Sequence, residues 1–102
     1  MVAARMEIIW SPHARLKLEE IGDYIAKDAP DRAAAFEDKL IDSVSRLKDF
    51  PESGSVVPEN ESFRQVILQG YRIIYRIRKT SVDIITIISP GQNSLPTDSE
   101  QK

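Results

Sequence analysis

Met6, Ile8 and Trp10 alternate with Glu7 and Ile9, the period-two pattern of a strand with one face more apolar than the other. Ser11-Pro12 follows, a hydroxyl that can cap free N–H groups and a proline placed where a missing N–H costs nothing. The spacing predicts a helix from there to about Lys27, with Ala14, Leu18, Ile21 and Ile25 as its apolar stripe and Glu19, Glu20, Asp23 and Lys27 on the wet side. Pro30-Asp31 opens a second helix, which reaches about Asp49 with the stripe Ala33, Phe36, Leu40, Val44 and Leu47. Pro51 and Gly54 close it, since neither continues a helix readily. Two amphipathic helices on a tight link make an αα-hairpin.

Glu52 to Ser62 is polar, carries Gly54 and Pro58, and reads as a loop from the helices to the sheet rather than a domain boundary. Three β-rich runs follow, Phe63 to Leu68, Tyr71 to Arg78 and Val82 to Ile88, separated only by Gln69-Gly70 and Lys79-Thr80-Ser81. Connections this short predict antiparallel hairpins. The last run alternates less cleanly, with Ile84, Ile85, Ile87 and Ile88, as expected of a central strand with both faces at least partly covered. Beyond Pro90 the pattern stops, and Thr97 to Lys102 has no apolar anchor and reads as a disordered tail after a single domain over residues 1–96. The order β-α-α-β-β-β predicts an α+β fold: an N-terminal strand and an αα-hairpin packed on one face of a mainly antiparallel sheet. The opposite face is left for function.

Composition narrows the chemistry. At 102 residues and 41% hydrophobic, the chain has material for one compact core. It contains no cysteine, so disulfides, a thiolate metal site and a cysteine nucleophile are excluded. Met1 to Met6 lacks the apolar core of a signal peptide, and no apolar run approaches the roughly 18 residues of a membrane span. A cytoplasmic protein without a membrane role is the expectation.

The formal charge of −2 gives no net attraction for a polyanion, yet the charge is unevenly placed. Residues 1–62 hold eight basic and thirteen acidic side chains, whereas Phe63 to Lys79 holds Arg64, Arg72, Arg76, Arg78 and Lys79 with no acid. Alternation puts Tyr71, Ile73, Tyr75 and Ile77 on one face of their strand and Arg72, Ile74, Arg76 and Arg78 on the other. One reading is a solvated sheet face whose arginines cover aliphatic neighbours or pair with carboxylates. The other is a surface for an anion or a partner, because the planar guanidinium can hold a carboxylate or phosphate through two hydrogen bonds. Arg64, Arg72, Arg76 and Arg78 are the candidates for binding a partner or target.

Catalytic groups are sparse. His13 is the only histidine and lies in the first turn of the first helix, and a lone histidine there reads as incidental. Tyr71 and Tyr75, spaced with Ile73 and Ile77, read as core rather than acid-base groups. Glu19, Glu20 and Asp23 read as a solvated face, and neither a phosphate-binding glycine loop nor a nucleophile elbow is present. No catalytic residue, metal or cofactor is expected.

Ser11-Pro12-His13-Ala14, Leu47-x-x-Phe50-Pro51-x-x-Gly54 and Gly70-Tyr71-Arg72-Ile73-Ile74-Tyr75-Arg76-Ile77, in this order, resemble the RelE/ParE toxin superfamily over about Met6 to Ile88. The resemblance implies the toxin of a type II toxin-antitoxin system, neutralised by a ParD-like antitoxin whose C-terminal segment wraps it. Operator DNA would be reached only through the antitoxin. RelE-like members cut messenger RNA at the ribosome, while ParE-like members poison DNA gyrase. RelE-like nucleases carry basic residues before the Gly-Tyr-Arg strand and after the last strand, then an aromatic or histidine for proton transfer. Here those regions read Leu68-Gln69 and Ser89-Pro90-Gly91-Gln92-Asn93-Ser94-Leu95, without charge stabilisers or a general acid for a phosphoryl transition state. The resemblance therefore implies a ParE-like gyrase inhibitor, with an mRNA interferase as the alternative. The segment after the last strand also lacks the basic character of many ParE-like members, which leaves open an inactive homologue that only binds its antitoxin.

Overall fold

The computed structural model describes residues 5–91. The Gln92 to Leu95 stretch and the expected tail at Thr97 to Lys102 lie outside the described residues.

Strand β1 (Glu7–Trp10) leads into helix α1 (Pro12–Ala26), and Ser11 performs the capping its sequence position suggested. Its Oγ accepts from the Ala14 N–H at 2.9 Å and donates to the Ile85 carbonyl at 3.0 Å, so one hydroxyl starts the helix and ties it to the sheet. Helix α2 (Pro30–Ser45) starts on proline with Asp31 in its first turn and runs on as a tighter 3-10 turn over Arg46–Lys48. A second such turn, Pro51–Ser53, carries the chain to the sheet.

The remaining strands are β2 (Ser55–Val57), β3 (Asn60–Leu68), β4 (Tyr71–Ile77) and β5 (Ser81–Ile88). The five form one sheet in the order β1-β5-β4-β3-β2, with β1 parallel to β5 and every other pairing antiparallel. The expected α+β architecture stands, with one correction. The polar segment read as a loop from Glu52 to Ser62 contains β2 and the first residues of β3. An edge strand of three residues, two of them exposed, leaves no alternation for the sequence to display.

Ala14 and Ile21 of α1, Phe36, Leu40 and Val44 of α2, and Leu47 close over Ile73, Tyr75, Val82, Ile84 and Ile87 of the sheet. A smaller cluster on the other face joins Val57, Ile74 and Ile88, with Phe63 and Ile85 against it. Thr86 faces Ile74 and Ile84 faces Tyr75, so Ile85 is an extra residue bulged out of the ladder. That bulge explains the broken alternation of β5: Ile84 and Ile87 serve the helix side, Ile85 and Ile88 the outer side.

Candidate functional site

Cross-strand neighbours share a face of a sheet, so the register assigns every candidate arginine to a side. On β4, Tyr71, Ile73, Tyr75 and Ile77 turn toward the helices, and Arg72, Ile74 and Arg76 turn outward. Arg72 lies between Ile67 of β3 and Ile88 of β5, and Arg76 lies beside Asp83, which in turn faces Ile9 of β1. Arg64 stands opposite Tyr75 and therefore on the helix side, apart from the other arginines.

Arg64 braces the corner that follows α2. Its Nη1 donates to the carbonyls of Gly54 at 2.7 Å and Glu52 at 3.2 Å. The fully buried Tyr75 hydroxyl donates to the Pro51 carbonyl at 2.7 Å and accepts from the Gly54 N–H at 3.0 Å. A Cβ at Gly54 would lie 2.5 Å from both the Gln65 carbonyl and the Tyr75 hydroxyl, so the close approach admits only glycine. The Phe50-Pro51-x-x-Gly54 pattern is thus a bonded corner between helix and sheet. Burial pushes the Tyr75 phenol above its ordinary pKa, and the Gly54 hydrogen bond and the Arg64 charge oppose that shift.

The outward arginines are held differently. The Arg72 guanidinium grips Glu59 through Nη2 to Oε1 at 2.9 Å and Nη1 to Oε2 at 3.1 Å, and its Nε donates to Gln65 Oε1 at 2.7 Å. Arg78, just past β4, donates to Asp83 Oδ2 at 2.6 Å, and Ser81 Oγ holds Asp83 Oδ1 at 2.9 Å. With that carboxylate engaged, the buried Nε of Arg76 has no hydrogen-bond partner among the described residues.

His13 reaches the outer face around the end of β1, where its Nε2 lies 2.9 Å from the hydroxyl of buried Thr86. Tyr71 packs its ring on Phe36 with centroids 4.8 Å apart. Among the described residues, no group of three or more His, Asp or Glu side chains is placed to hold a metal ion. No helix there is long and apolar enough to cross a membrane.

Sequence reasoning missed two features. Glu59 and Gln65 join Arg72 only through the β2–β3 and β3–β4 pairings, for which the linear pattern carries no signal. A groove of about 480 Å³ also opens between the edge strand β1 and the C-terminal half of α2, lined by Met6, Ile8, Trp10, Ile41 and Val44 together with the polar Arg5, Glu7, Ser45 and Lys48. The available clue was Ile41, an aliphatic residue outside the α2 core stripe, which the structure leaves 44% exposed.

Residues 8–93 match the family described as the ParE toxin of the type II toxin-antitoxin system, parDE. This chain belongs to the ParE toxin family. As a member, it is a toxin component of a type II toxin-antitoxin system. A Sinorhizobium fredii relative named "Putative toxin Y4kP" is 36% identical over 91 residues, spanning 87% of this chain and 93% of that protein. A solved structure described as a chromosomal ParDE TA system from P. aeruginosa superposes with a TM-score of 0.75 over 86% of this chain and 99% of that one. At 20% identity, that likeness is one of fold.

Proposed function

We propose that this ParE-family toxin is neutralised by a cognate ParD-like antitoxin and acts on a protein target, DNA gyrase, rather than by cutting RNA. The observation that speaks against RNA cutting is the engagement of its arginines, and gyrase follows from the likeness to ParE toxins. Phosphoryl transfer needs cations directed together at developing negative charge. Here Arg64 is bonded to backbone carbonyls on the helix side, Arg72 to Glu59 and Gln65, and Arg78 to Asp83. Arg76 then remains on the outer face as a candidate contact to a target.

The groove beside β1 supports the antitoxin part of the reading. Its Ile8, Trp10, Ile41 and Val44 suit the apolar side of an amphipathic antitoxin segment that orders as it binds, and Arg5, Glu7, Ser45 and Lys48 can meet its polar side. Operator DNA is contacted through the antitoxin in this arrangement, and the cytoplasm is the site of action.

The test is induced expression in a susceptible bacterium, with the DNA-damage response and protein synthesis followed together over the first minutes. The expected outcome is a rising damage response while translation continues. Translation stopping first would return the reading to an mRNA interferase, in which case Arg72→Ala should abolish the arrest. No effect on either would leave a homologue that only binds its antitoxin.

A further inference from the structure

The Glu59–Arg72 pair stands apart from the other ion pairs of the described residues. Arg5–Asp49, Lys17–Glu20 and Arg78–Asp83 each include a side chain more than half exposed, whereas Arg72 and Glu59 are only 16% and 26% exposed. Both Glu59 oxygens meet the guanidinium fork, and Gln65 Oε1 accepts from its Nε. Glu59 sits on the connection between β2 and β3, next to a three-residue edge strand whose register with β3 slips between Val56 and Val57. A shielded, two-pronged carboxylate seat is therefore filled by a residue from a weakly laddered sheet edge.

The surroundings narrow what else could fill it. Ile67 and Ile88 flank Arg72 across the ladder, and Ile67 is 60% exposed. Arg76 is four residues further along β4, roughly 13 Å at strand rise, and lies beside Asp83. A polyanion is held by several cations in step with its phosphates. One cation between aliphatic side chains instead suits a single carboxylate on a peptide with apolar neighbours.

We propose that Arg72 and Gln65 form a carboxylate-binding seat on the outer sheet face, occupied in cis by Glu59 and open to an acidic side chain of a partner peptide once the β2–β3 connection gives way. The seat does not depend on which cellular target the toxin attacks.

The test follows the Arg72 Nε–Hε signal in proton–nitrogen correlation spectra during titration with the blocked tripeptide acetyl-leucyl-glutamyl-leucinamide. Glu59→Gln should give a saturable shift with half-saturation about ten-fold or more below that of the wild type, because the internal competitor is gone. The glutamine analogue of the peptide should give none. The proposal is overturned if Glu59→Gln, with the rest of its spectrum preserved, shows no saturable response, or if the wild type responds equally. Single-stranded polyuridylate binding at lower concentration than the tripeptide would also overturn it, in favour of a polyanion site. Glu59→Asp keeps the charge on a shorter arm and supplies the same comparison should Glu59→Gln not fold, with a half-saturation expected between the two; a value equal to the wild type's counts against the seat.

Discussion

Tyr75 joins three parts of the molecule through one side chain. Its ring lies in the helix-side core, while its hydroxyl bonds Pro51 and Gly54 at the corner after α2. Tyr75→Phe keeps the ring and leaves the Gly54 N–H without that acceptor, which should lower the unfolding free energy by about 1–2 kcal/mol at pH 7. The raised phenol pKa adds a pH signature. The folded chain holds this proton after the unfolded chain has lost it, so the contribution is full below about pH 10 and is lost as pH rises through the folded value. Urea denaturation from pH 9 to 11 should therefore show the wild type losing more stability than Tyr75→Phe. Parallel losses would mean that Tyr75 ionisation is not linked to unfolding.

At the scale of elements, the β3–β4 hairpin turns on two residues, since Leu68 pairs with Tyr71. Gln69 and Gly70 both have positive φ, 51° and 88°, the geometry of a turn that follows the twist of its strands. Glycine adopts it freely and glutamine does not. Gly70→Ala should cost about 1–2 kcal/mol, its Cβ also falling 3.1 Å from Pro90. Gln69→Asn, which tolerates this region better, should raise the melting temperature, and thermal unfolding of the two variants checks both signs. The dipeptide made the hairpin legible in the sequence. The Ile85 bulge was not, because a run of isoleucines reads alike whether or not one residue is pushed out of the ladder.

For the whole molecule, the question is which surface receives a partner. Ile41 lines the groove beside β1 and is partly exposed, so a charge there should leave the fold intact and disrupt an apolar contact. Ile41→Glu is expected to weaken antitoxin binding about ten-fold or more, equivalent to about 1.4 kcal/mol, with an unchanged melting temperature for the free toxin. Calorimetric titration with the antitoxin measures this. Undiminished affinity would place the antitoxin elsewhere on the toxin.

The chain by itself determined the order of the two helices and the four longer strands, the apolar stripes of both helices and the concentration of arginine in the sheet, because each is written in local spacing. Ser11, the Pro30 start and the burial of Phe36, Leu40 and Tyr75 were all legible in this way. Only the tertiary structure decided which side of the sheet Arg64 takes and what each arginine holds. Arg64 and Arg72 look alike in the sequence, yet one register step sends them to opposite sides of the sheet. Glu59 belongs to the acidic half of the chain, and only strand pairing brings it onto Arg72. Local periodicity fixes which way a side chain points relative to its own strand, whereas the partner it meets depends on long-range register and a single bulge.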